Sequence, residues 1–192
     1  AEAFKSLRNS IMNLGVLFMM NGVVGNSTHR TLNVNEFRAF TLIDPYAPLI
    51  FINSKDSVNG KLFSLLHELV HVWIGQDNFY NDIYGTSQKV SREEQFCNAV
   101  AAEILVPTSL FSADWSTQSG DTESIINALG KRFICSRFVL LRKALDTCKI
   151  GQAEYEGLLK IFQKQFRETQ DQKPDKGSGG GDFYRTLRTK WD

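Results

Sequence analysis

Two of the chain's three histidines, His67 and His71, stand four residues apart in the run His67-Glu68-Leu69-Val70-His71. On a helix, a spacing of four stacks both imidazoles on one face, one turn apart. Two nitrogen donors so placed can grip one zinc ion at about 2.0–2.1 Å each. Glu68 follows the first histidine directly, where its carboxylate reaches a water on such an ion. Glu68 is then the general base, taking the proton of the attacking water and passing it to a leaving amine. The ion supplies a water of pKa about 7 and polarises the carbonyl under attack. The chemistry implied is hydrolysis of a peptide bond. A purely structural helix is the bland alternative, but two histidines and a glutamate among apolar residues are costly to bury unless paired or metallated.

A catalytic zinc needs a third protein ligand and an open position. His29 is the one other histidine, in a turn-rich stretch well before the helix. Glu93 and Glu94 are better placed, at the start of the next expected helix. Glu94 and Asn98 are four apart and share a face, so Glu94 can bind the metal while Asn98 accepts the second ring N–H of a ligating histidine. Ser91-Arg92-Glu93-Glu94 also matches a capping box, in which Glu94 only satisfies the helix N-terminus. The residues alone leave both roles open, with Glu93 in reserve. Tyr80 and Tyr84 are candidates to donate a hydrogen bond to the oxyanion, although a surface tyrosine without a role is the commoner case.

The elements that must carry these residues follow from periodicity. Residues 1–14 predict a helix, with Phe4, Leu7, Ile11 and Leu14 at helical spacing. Val16 to Met20 predicts a strand, followed by a turn-rich stretch from Asn21 to Ser27. Phe37 to Ile43 and Leu49 to Ile52 predict an antiparallel hairpin around Asp44, Pro45 and Pro48. Lys61 to Trp73 predicts a helix apolar nearly all round, hence buried, with Gly75 at its C-cap. Residues 76–90 read as a loop. A helix then runs from about Ser91 to Leu105, where Pro107 stops it. Ser112 to Thr122 reads as a polar linker. Helices follow at Ser124 to Leu129, Arg137 to Asp146 and Gln152 to Phe166. The glycine-rich run 177–181 reads as a flexible linker, and Phe183 to Trp191 as a basic, aromatic tail.

The combination of His67 to Gly75 (HELVHVWIG), Glu94 to Pro107 (EQFCNAVAAEILVP) and the hairpin from Phe37 to Asn53 resembles the ImmA/IrrE family of metallopeptidases. The likeness covers roughly residues 1–110. It implies an α+β, zincin-like metallopeptidase core, with a small antiparallel sheet packed on helices. It implies Zn2+ held by His67, His71 and Glu94, with Glu68 as catalytic base. It favours Glu94 over Glu93 as ligand. It also implies a substrate that is a regulatory protein such as a repressor, encoded nearby. Many members carry a helix-turn-helix upstream. None is seen upstream here, as expected if the chain is a fragment; the start at Ala1 fits a fragment or a lost initiator Met.

The expected organisation is a metallopeptidase domain over 1–115, a helical appendage over 116–170, and a linker with tail over 171–192. The appendage resembles a helix-turn-helix between Ile125 and Ala144, with Ser136 as N-cap. Lys131, Arg132, Arg137, Arg142, Lys143 and Lys149 face a single acid, Asp146, so residues 124–149 are a candidate DNA contact. The plainer expectation is a helix pair that packs on the core and shapes substrate access.

Composition agrees with an ordinary globular chain: 192 residues, 42% hydrophobic, 22% charged, net charge +1. Global charge therefore argues for neither a nucleic acid nor a membrane. Cys97, Cys135 and Cys148 are odd in number and widely spaced, which fits reduced thiols and a cytoplasmic protein. No stretch approaches the about 20 apolar residues of a membrane span. Two other functions compete with a zinc endopeptidase. One is a metal-containing regulatory module that binds a repressor or DNA without proteolysis. The other is a toxin-like protease restrained by a partner.

Overall fold

The structure, a computed structural model, describes residues 2–25, 27–34, 36–75, 78–80 and 91–171. The opening helix, α1 (Glu2–Asn13), lays Ile11 into the core and stops at Gly15, whose φ of 88° favours glycine. Three strands follow: β1 (Leu17–Asn21), β2 (Val23–Val24) and β3 (Ser27–Thr31). Then come β4 (Ala39–Leu42) and β5 (Leu49–Asn53), the expected hairpin, paired antiparallel from Ala39 with Ile52 to Leu42 with Leu49.

The main sheet is completed by β6 (Asn78–Tyr80), and its order is β1-β5-β4-β6. It is mixed, not antiparallel as expected: β1 runs parallel to β5 from Leu17 with Leu49 to Asn21 with Asn53. Strand direction is decided by the connection. Parallel neighbours need a crossover, and here β2, β3 and β4 lie between the two in sequence. The stretch expected as turns from Asn21 to Ser27 includes a second small sheet, in which β2 and β3 pair antiparallel.

The central helix α2 (Val58–Ile74) packs under β4 and β5. Ser57 caps it by accepting from the Gly60 amide at 3.0 Å, and Gly75 ends it at φ 70°. It starts earlier than the Asn59-Gly60 break suggested. Gly60 is there for close approach: a Cβ would fall 2.4 Å from the Asp56 carboxylate. That carboxylate is itself held by Arg38 at 3.0 Å.

Beyond α3 (Arg92–Leu105) the chain is helical: α4 (Thr108–Thr117), α5 (Thr122–Phe133), α6 (Arg137–Asp146) and α7 (Gln152–Asp171). The expected polar linker at Ser112 to Thr122 is thus largely helix. Its polar composition hides Phe111 and Trp115, one turn apart, whose rings pack 5.4 Å from each other. Similarly, α7 continues past Phe166 into the charged stretch. The glycine-rich run and the tail to Trp191 lie outside the described residues.

Two apolar clusters hold these elements. One joins Ile11, Val16, Ala39, Ile50, Ile52, Leu65 and Leu69, that is, α1, the sheet and α2. The other gathers Val106, Phe111, Ile126, Leu129, Leu140 and Phe162 among the later helices. The first positions α2 against the sheet, and α3 lies along α2.

Candidate metal centre

The middle of α2 is buried on every side, from Ser64 to His71. Its apolar residues seal against the sheet and α3, and this forces His67, Glu68 and His71 inside with them. All three are at most 2% exposed. One turn separates the two imidazoles, whose Nε2 atoms lie 3.1 Å apart.

Glu94 reaches them from the first turn of α3. Its Oε2 is 3.2 Å from His67 Nε2, and its Oε1 is 3.2 Å from His71 Nε2. Of the capping box weighed for this stretch, only the Ser91 half is seen. Ser91 caps α3 by accepting the Glu94 backbone N–H at 3.2 Å, while the Glu94 side chain turns to the histidines. Glu93 is exposed and stays at the helix terminus, where its own backbone N–H and Ser91 lower its pKa. Asn98, one turn further along α3, lies beside the His67 ring. His29, in β3, is exposed and is not brought to the site. Tyr80 is in β6, and Tyr84 lies outside the described residues.

The electrostatics follow from burial. Desolvation lowers the pKa of His67 despite the neighbouring Glu94, which favours the neutral imidazole that a metal requires. Burial pushes Glu68 up to about 8, with Thr41 opposing and the Glu94 charge adding to the rise. Burial also acts to raise Glu94, but its hydrogen bonds and charge contacts with His67 and His71 outweigh this and hold it at about 2. One carboxylate is thus set to stay ionised beside the histidines, and the other to carry a proton near neutrality.

The donor set fits a divalent ion. Ligands bound tetrahedrally at about 2.0–2.1 Å sit about 3.3 Å from one another, close to the spacings between the two Nε2 atoms and the Glu94 oxygens. Among the described residues, His67, His71 and Glu94 form the group whose ligand atoms all lie within 4.8 Å of each other. Two imidazoles and one carboxylate suit zinc and several other first-row ions.

A family model described as IrrE N-terminal-like domain, Peptidase_M78, matches residues 19–145. The chain belongs to this family. No curated protein matches it. Membership makes it a metallopeptidase-type protein of α+β fold with a C-terminal helical region. The Peptidase_M78 match runs past residue 110, where the likeness in the sequence ends, through α5 to the penultimate residue of α6. The helix pair therefore falls within the matched residues.

Sequence reasoning missed one participant. Thr41, on β4, is fully buried and donates its hydroxyl to Glu68 Oε2 at 2.5 Å. A polar residue in the apolar run Phe40-Thr41-Leu42-Ile43 was the available signal. Cys97 is also close enough to feel Glu94 and Glu68, and burial with these charges pushes its thiol up to about 12, into the inert range.

Four of the six basic residues of the helix pair, Arg132, Arg137, Arg142 and Lys143, have partners within the chain. Arg132 pairs with Asp114 at 2.5 Å and Arg142 with Asp146 at 2.9 Å. Arg137 donates to Gln165 at 2.6 Å and lies over the Phe162 ring. Lys143 is buried against Glu103. Among the described residues, no single helix is long and apolar enough to cross a membrane.

Proposed function

We propose that the chain is a zinc-dependent endopeptidase acting in the cytoplasm on a regulatory protein, such as a repressor encoded nearby. The observation that carries the reading is the convergence of His67, His71 and Glu94 on one point, with the buried carboxylate of Glu68 beside it. His67, His71 and Glu94 would hold the ion, and Asn98 would steady the His67 ring. When bound, the ion lowers the pKa of a coordinated water and polarises the scissile carbonyl. Glu68 accepts the water's proton as the oxygen attacks, then delivers it to the leaving amine nitrogen. Burial excludes bulk water and strengthens each of these contacts.

DNA contact through residues 124–149 gains less support, because Arg132, Arg137, Arg142 and Lys143 are already engaged.

The test is zinc per chain in the wild type, Glu94→Ala and Glu93→Ala, followed by cleavage with wild type and Glu68→Gln. One zinc in the wild type and in Glu93→Ala, lost in Glu94→Ala, is expected. Incubating the protein with candidate regulators should give new N-termini that are absent with Glu68→Gln. A wild type that binds no divalent ion after reconstitution ends the proposal.

A further inference from the structure

The metallopeptidase reading leaves one requirement unmet. A base must present one particular carboxylate oxygen to the reacting proton, and a glutamate on a helix has three side-chain torsions through which to miss. Glu68 is fully buried, and its Oε1 has no hydrogen-bond partner within the protein. Its Oε2 is held by Thr41 at 2.5 Å.

Thr41 is suited to hold it. It lies on an interior strand, opposite Ile50 of β5 on one side and Asn78 of β6 on the other. The two ladders fix its backbone, and its β-branched side chain is stiff at χ1. Its hydroxyl has a single proton with two acceptors in range, Glu68 Oε2 at 2.5 Å and the Glu68 carbonyl at 3.3 Å. That carbonyl is already an acceptor in the helix ladder. The shorter contact, to an acceptor that can be charged, takes the proton.

We propose that Thr41 is the positioning residue of the base: it anchors Oε2 of Glu68 to the sheet and leaves Oε1 to face the metal centre. This rests on the metallopeptidase reading. In the reaction a water O–H breaks and its proton goes to Glu68 Oε1. Thr41 keeps its own proton throughout.

The probe is acetohydroxamate, which chelates the ion and places a proton against the base. Its affinity is measured by calorimetry on the zinc-loaded full chain, as wild type, Thr41→Val, Thr41→Ser and Glu68→Gln, with zinc per chain recorded for each. Thr41→Val should retain zinc and bind the hydroxamate about tenfold more weakly, the loss expected when one hydrogen bond to a charged group goes. Thr41→Ser, which keeps the hydroxyl, should restore binding. A Thr41 that only fills the sheet would change the unfolding midpoint and leave hydroxamate affinity alone. Equal affinity in Thr41→Val and wild type, or equal weakness in Thr41→Ser and Thr41→Val, overturns the proposal. If Thr41→Val does not fold, Thr41→Ala against Thr41→Ser asks the same question. A wild type without zinc, or a Glu68→Gln that binds the hydroxamate like wild type, instead overturns the metallopeptidase reading, and this proposal falls with it.

Discussion

Helices α2 and α6 each carry ionisable side chains into the interior, but they treat them differently. In α6 the buried Lys143 meets Glu103 of α3, which in turn accepts from the Thr108 amide at 2.8 Å and the Thr108 hydroxyl at 2.6 Å. Lys143, with Thr108, holds Glu103 at about 2. In α2, His67, Glu68 and His71 are buried together and share Glu94 as their neighbour. Their environment drives the two carboxylates apart, Glu68 up to about 8 and Glu94 down to about 2. A buried charge with its own counter-ion is an ordinary feature of a core. Several buried titratable groups around one point, with divergent pKa values, are the mark of a working site.

This contrast can be broken by mutation. The largest effect is expected from Glu68→Gln, which removes the proposed base and should slow cleavage by about 10²–10⁴-fold with zinc retained. Comparable loss of zinc and activity would mean that Glu68 supports the metal and not the proton transfer. Next is Asn98→Ala: if Asn98 steadies the His67 ring as proposed, zinc binding should weaken by about tenfold or somewhat more, measured by chelator competition. The matching change in the other region is Glu103→Ala. It leaves Lys143 with a lost charge-assisted bond and should destabilise the fold by about 1–3 kcal/mol in urea unfolding. Zinc content should not move. If it does, the two regions are coupled and the contrast fails.

The smallest expected effect is a pH dependence. In the metal-free protein the native state keeps the Glu68 proton up to about pH 8, whereas the unfolded chain releases it near the ordinary value of 4.5. Between these values the native state binds more protons, so this group's contribution to stability falls as pH rises. Glu68→Gln should flatten that fall. The check is the urea midpoint of both chelator-treated proteins across the window, and parallel curves would contradict the raised pKa.

Much of the site was legible because it lies on helices. A four-residue spacing is the same statement in sequence and on a helix surface, so His67 and His71 could be placed together before any tertiary contact was known. Glu94 was harder. The capping box and the metal ligand look identical in sequence, and only the packing of α3 along α2 shows that the Glu94 side chain turns to the histidines while Ser91 alone caps the helix. Thr41 was marked only by being polar in an apolar run, and its partner was not legible. A threonine in a strand is ordinary β-propensity, and its distance of 27 residues from Glu68 is bridged only by the sheet lying on α2. The helix α4 was hidden for a related reason, since two aromatic residues one turn apart suffice to bury a helix whose other face is polar.

The sequence by itself determined the donor types, the histidine spacing, the apolar wrapping that buries them and the glycine cap that ends α2. These are local, set within a few turns of one chain segment. Only the tertiary structure decided the parallel placement of β1, the turn of Glu94 toward the histidines and the grip of Thr41 on the base. Each of these depends on which elements pack face to face, and hydrophobic burial, being non-directional, selects that arrangement only when the whole core closes.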